Sequence, residues 1–297
     1  MLLTKGIPFR YIFNKVKYEL VYVLLIALIV YLLTWKYQAL LPHMPITIPT
    51  FIGTAISILL SFKINQSYDR WWEARKVWGA IVNDSRSFIL QLQTLLPKNA
   101  RPVIRKIGIR QIAWCYALGQ SLRGLNPLEN LEQYLNADDM DAIGGHNNKP
   151  LALLQLNASD IRAWRTTEAI DTILHAQLDQ TLVRLCDSMG KAERINSTVF
   201  PVTYRMFLHF AIYLFVITLS IALRNIDPLF EIPLLVLISA VFLLLEKTAY
   251  HLQDPFRNRP SDIPVTAIAR TIEINIKQLL KLDDVPAPLT SDTFYLL

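Results

Sequence analysis

Five histidines, two cysteines and a scatter of carboxylates are the residues of this 297-residue chain that could carry proton or metal chemistry. Their spacing does not serve it. His43 and His146 fall in connections, His175 on an amphipathic stretch, His209 inside an apolar run and His251 at the end of another, so no two stand at a ligand spacing. Cys115 and Cys186 are far apart and read as two buried, reduced thiols. There is no glycine-rich phosphate loop, no nucleophile elbow and no His-Glu-x-x-His. Asp254 and Asp262 have Arg257 and Arg259 between them, which oppose a bound cation, and the stretch reads as a solvated interfacial loop. No enzyme, no metal and no cofactor is expected. What does have a pattern is uncharged. On a helix at roughly 100° per residue, Thr54, Ile58, Ser61, Phe62 and Asn65 share one sector with Ser57 beside it. If several copies surround an axis, Ile58 and Phe62 form an apolar neck between wetter sections, and such necks gate by dewetting. If they do not, Gly53, Ala55, Ser57 and Ser61 make a seam where helices approach closely. Spacing alone leaves both open.

The elements that must position this sector are helices in a bilayer. Hydrophobic residues make up 53% of the chain and charged ones 18%, too apolar for an ordinary soluble domain and too charged for a purely membrane-embedded bundle. Four runs qualify as spans: 18–41, with Trp35 and Tyr37 at the headgroup layer; 50–76; 206–223; and 233–245, extending to His251. The second run passes without a helix breaker from apolar residues into Tyr68-Asp69-Arg70-Trp71-Trp72-Glu73. As one helix it is roughly 40 Å long against a hydrocarbon core of roughly 30 Å, so its last turns stand in a solvated layer. There Arg70 with Glu73, or Glu73 with Lys76, is at pairing distance. The few polar residues in the spans give a proton relay little to work with.

Lys5, Arg10, Lys15 and Lys17 precede the first span with no acid among them, and the connection 41–50 has no Lys or Arg. By the positive-inside rule the N-terminus is cytoplasmic, and an even number of spans returns the C-terminus to that side. The first apolar run is long, starts late and lacks a small-residue cleavage site, so it reads as a retained span and not a signal peptide. The net charge of +6 flanks apolar runs and does not cluster, which argues against nucleic acid as a partner.

The organisation expected is therefore 1–17 as a cytoplasmic N-terminal segment, 18–76 as the first two spans, 77–204 as a cytoplasmic helical region, 205–252 as the last two spans, and 253–297 as a cytoplasmic C-terminal segment. Within the middle region the spacing predicts helices over 85–96, 103–123 and 160–189. The last begins at Ser159 or Asp160, has Ile170, Ile173, Leu174, Leu178, Leu182 and Leu185 on its apolar face, and ends at Gly190. The one clear loop is 141–150.

Three blocks carry a resemblance. Ser61-Phe62 with Asp69-Arg70-Trp71-Trp72-Glu73 looks like the second-helix signature of the bestrophin channel family, in particular its prokaryotic branch. Glu193-Arg194-Ile195 through Pro201-Val202-Thr203-Tyr204 resembles the entry to that family's third span. Asp254-Pro255-Phe256 with Asp262-Ile263-Pro264 resembles its post-span loop. The resemblance covers about 18–280. It implies an all-α membrane protein with four transmembrane helices continued by a cytoplasmic bundle, assembled as a homopentamer around a pore and set in the bacterial inner membrane. It implies a hydrophobic neck at Thr54, Ile58 and Phe62, the sector found above, and a cytosolic aperture at Ile173; Thr54 departs from the apolar residue usual at its position. It also implies passive conduction of monovalent ions. The family at large passes chloride and related anions, its bacterial members sodium, and the uncharged Ile58 and Phe62 do not choose between them. The acidic cluster through which calcium opens the animal members corresponds to 256–262, which has a single acid, so calcium gating of that kind is not expected. The competing expectation is a non-conducting membrane scaffold or receptor whose cytoplasmic bundle binds a partner.

Overall fold

The computed structural model describes residues 1–2, 6–37, 43–166 and 171–297. Lys5, Leu41 and Ile170 lie outside them. The described residues form α1 (Phe9–Lys36), α2 (Thr47–Leu95), a 3-10 turn (Lys98–Ala100), α3 (Arg101–Leu122), α4 (Ala137–Gly144), α5 (Lys149–Thr166), α6 (Thr172–Ser197), α7 (Val202–Leu223), α8 (Pro228–Leu252) and α9 (Val265–Leu279). The four helices α1, α2, α7 and α8 are long and apolar enough to cross a membrane. The chain divides into two compact units. One comprises Thr4–Arg70 and Val199–Asp254; the other comprises Met1–Leu3, Trp71–Thr198 and Pro255–Leu297.

Helix α2 is the element common to both, and it is longer than expected. Its 49 residues extend roughly 70 Å at 1.5 Å per residue. The stretch 85–96, expected as a separate helix, is its last turns. The reason lies in what is missing and what persists. No proline occurs between Pro49 and Pro97, and the buried stripe of Ile56 and Leu60 resumes in Ala74, Val77, Trp78, Ile81, Phe88, Ile89 and Leu92. A helix that meets no breaker and has a side to bury along its whole length has no cause to stop.

In the membrane-spanning unit α1 packs on α7 and α8, and α7 on α8, around Val23, Ala27, Ile56, Leu60, Leu208, Ile212, Phe215 and Leu243. Gly53 allows α2 its approach to α7, since a Cβ there would stand 3.0 Å from the Phe215 ring. One turn on, Tyr204 Oη donates to the Leu59 carbonyl at 2.8 Å.

In the helical unit α3 packs on α5 and α9, and α5 on α6, with Trp78, Phe88, Trp114, Leu153, Leu185 and Ile272 in its core. Two polar networks are buried with them. Arg110 is held by Asp139 and Asp160, each at 2.7 Å, and by Asn157 at 3.1 Å. Glu273 accepts from Tyr116 at 2.8 Å and Tyr134 at 2.9 Å and pairs with Lys277 at 3.0 Å. Burial, then the carboxylate beside it, pushes the Tyr116 phenol up to about 12.

Several expectations for this unit are corrected. The helix over 160–189 is two helices: α5 ends at Thr166, and α6 opens at Thr172 with Asp171 accepting from the Leu174 amide at 2.7 Å. Gly190 does not end α6, because Ser188, Met189, Ala192 and Ile195 bury a face on either side of it and outweigh the roughly 1 kcal/mol that a mid-helix glycine costs. The loop over 141–150 shrinks to 145–148. Asn136 caps α4 by accepting from the Asp139 amide at 2.8 Å, and Asn148 accepts from the Leu151 amide at 3.0 Å. Cys115 is buried, as expected, but Cys186 is exposed. The stretch around Asp262 is packed, not solvated. Phe256, Asp262 and Ile263 are buried, Trp71 Nε1 donates to the Ser261 carbonyl at 3.2 Å, and burial pushes the Asp262 carboxyl above its ordinary range.

Candidate functional site

The ordinary rule for a helix side is that Phe and Ile are inside and Lys is outside. The first half of α2 inverts it. Ile58 is 54% and Phe62 61% exposed, and Thr54, Ser57, Ser61 and Asn65 are exposed with them. The opposite side, with Gly53, Ile56, Leu60, Lys63 and Ser67, is buried. Thr54, Ile58 and Phe62 thus share one open face of the helix. Its hydroxyls are satisfied locally: Thr54 donates to the Thr50 carbonyl at 2.9 Å, Ser57 to Gly53 at 2.8 Å and Ser61 to Ser57 at 2.9 Å. Each hydroxyl oxygen retains acceptor capacity, so the face can accept a hydrogen bond from water or coordinate a cation and still have two bulky apolar side chains between its polar positions.

The buried side contains what sequence reasoning missed. Lys63 Nζ pairs with Glu246 Oε1 of α8 at 2.8 Å, with the two side chains 0% and 1% exposed. His209 Nε2 of α7 lies 3.3 Å from the other oxygen, close enough to attract it when charged but not aligned for a hydrogen bond. The neighbouring Lys247 takes Glu19 of α1 at 2.5 Å. Two adjacent residues of α8 therefore clamp α2 on one side and α1 on the other. The signal available in the sequence was a Lys standing alone in the apolar part of the second run and a Glu-Lys pair at the end of the fourth, since unpaired charges are too costly in a span to be left so.

The aromatic block divides its duties. Asp69 is exposed and Arg70 half-buried. Trp71 is partly buried against the helical unit's core, and Trp72, 47% exposed, stacks on it with ring centroids 6.4 Å apart. Glu73 takes Lys76 at 2.6 Å, the second of the two pairings expected. In the helical unit Ile173 lies in the first turn of α6 and is 69% exposed. It is not part of the buried core of its unit.

Residues 9–278 match the family described as bacterial/fungal bestrophin protein. The chain belongs to that bestrophin family. It is 33% identical to the voltage-dependent anion channel-forming protein YneE of Escherichia coli K12 over 83% of this chain and 80% of that protein. It is 29% identical to the voltage-dependent anion channel-forming protein RSc3414 of Ralstonia nicotianae over 78% and 76%. The fold is similar to the crystal structure of a bacterial bestrophin homolog from Klebsiella pneumoniae, with a TM-score of 0.83 at 28% identity, covering 90% of this chain and 99% of that one. This bestrophin is thus an all-α integral membrane protein of an ion-channel family, and not an enzyme.

Proposed function

We propose that this bestrophin is a homopentameric channel for passive conduction of monovalent ions, with Thr54, Ile58 and Phe62 of five α2 helices as its neck and Ile173 as a second constriction. The observation that carries the reading is the inverted burial of α2. A helix that spends a buried ion pair to hold its Lys63 side against α8, while it leaves Ile58 and Phe62 open, has its apolar side chains facing something other than its own chain. Five such faces around an axis supply an apolar neck flanked by hydroxyls, the arrangement that gates by dewetting. Asp69-Arg70-Trp71-Trp72-Glu73 braces the helix where it leaves the bilayer. The single acid in 256–262 speaks against calcium gating of the animal kind. The basic N-terminal segment orients both termini to the cytoplasmic side of the bacterial inner membrane, with 77–204 and 253–297 on that side. The anion in the names of the Escherichia coli and Ralstonia relatives is one choice of ion sign.

Planar-bilayer recording of the purified oligomer tests this. Current rises when Ile58 or Ile173 is cut to Ala. Oligomers that are intact by size and silent in every variant overturn the reading.

A further inference from the structure

Seven residues beyond Phe62, and therefore roughly 10 Å along α2, comes Asp69. Seven steps of roughly 100° bring it to within about 20° of Phe62 on the wheel, so it continues the line of Ile58 and Phe62 past the end of the neck. It is exposed, and among the described residues no cation of its own chain takes it. The cations of this stretch of α2 are otherwise engaged or turned away. Lys63 is buried on Glu246. Arg70 and Arg75 are rotated from Asp69 by about 100° and 120° and are both half-buried. Lys76 shares its side of the helix but is tied to Glu73 at 2.6 Å, a pair with no net charge. One uncompensated carboxylate per chain remains on the line of the neck.

We propose that Asp69 is a specificity-determining residue, five copies forming an acidic ring at the end of the neck that favours cations over anions; this rests on the pentameric-pore reading above. Rings of Asp or Glu act in this way in cation pathways, by concentrating the counter-ion where the wall is narrow. A ring potential of about one kT raises the local cation and lowers the local anion about 2.7-fold each, which is about sevenfold in their ratio. The Debye length of about 8 Å at physiological salt limits the effect to the adjoining section of the neck and makes it salt-dependent. The direction is opposite to the ion named for the Escherichia coli relatives.

The experiment is a reversal-potential measurement on the full-length oligomer in planar bilayers under a potassium chloride gradient. Asp69→Asn lowers the cation-to-anion permeability ratio about sevenfold, Asp69→Glu leaves it unchanged, and the wild-type ratio falls with total salt while that of Asp69→Asn does not. If Ile58→Ala raises the current yet Asp69→Asn leaves the ratio where it was, the ring is wrong and the pore stands. If Asp69→Asn breaks the oligomer apart, Asp69 is an assembly contact and the proposal is overturned. A wild type that passes no current overturns the pore reading and the ring with it.

Discussion

Glu246→Gln leaves the Lys63 ammonium between helices with no carboxylate to meet it. The wild-type contact is 2.8 Å with both side chains sealed from solvent, so its loss falls in the class of broken buried pairs that cost about 3–5 kcal/mol. At about 2 °C per kcal/mol for a chain of this size, the melting midpoint in detergent drops by about 6–10 °C. The loss is asymmetric. Lys63→Met leaves Glu246 with a second polar neighbour, His209 Nε2 at 3.3 Å, whereas Glu246→Gln leaves the Lys63 ammonium with no anion at all. Lys63→Met is therefore the milder change. Lys63→Met with Glu246→Leu removes both charges and returns most of the lost stability, because the paired desolvation cost disappears with the pair. The assay is thermal unfolding of the purified protein at one scan rate, since such melts are seldom reversible. A midpoint for Glu246→Gln within about 1 °C of wild type, or a double variant as damaged as Glu246→Gln, refutes the clamp.

Gly53→Leu forces a side chain into the Phe215 ring, which a Cβ alone would approach to 3.0 Å; overpacking of about 1–3 kcal/mol lowers the melting midpoint, and Gly53→Ala lowers it less. Arg110→Met strands the buried Asp139 in the helical unit, while Asp160 keeps Lys106 at 3.5 Å; the unit loses about 3 kcal/mol, seen as faster proteolysis of α3–α5 in limited digestion. Asp262 has its carboxyl pushed up by burial. The folded state then binds its proton more tightly than the unfolded state, so this group's contribution to stability falls as pH rises through the raised value. Asp262→Asn keeps an acceptor for the Arg259 amide and melts at or above wild type at neutral pH, the difference closing in acid; a lower melt at neutral pH refutes this. Burial raises the Cys115 thiol to about 12, so a maleimide leaves it unmodified in the folded protein and labels it in denaturant, by intact mass.

The spans were legible because they depend on local composition. Residues 18–36 of the first apolar run lie in α1, and the runs at 206–223 and 233–245 lie in α7 and α8; the sector of Thr54, Ile58 and Phe62 is a sector because a helix turns by about 100° per residue wherever it is. The helix over 103–123 was equally legible, since Pro102 and Gly124 punctuate it. Breakers misled where packing outweighed them: Gly190 inside α6, and Gly144 as the last residue of α4. The split between α5 and α6 is hidden in the sequence because apolar spacing runs on through 160–189, past the cap at Asp171.

Composition and periodicity determined that this is a four-span helical membrane protein, and three short blocks determined its family. They could not determine which side of α2 is open. That choice depends on Lys63 finding Glu246, 183 residues away in the chain, and on Gly53 admitting the Phe215 ring. A Lys in a span reads as a liability until its partner is known, and the partner is a matter of three-dimensional packing. Only the tertiary structure could turn Lys63 inward, and in doing so it left Ile58 and Phe62 facing out.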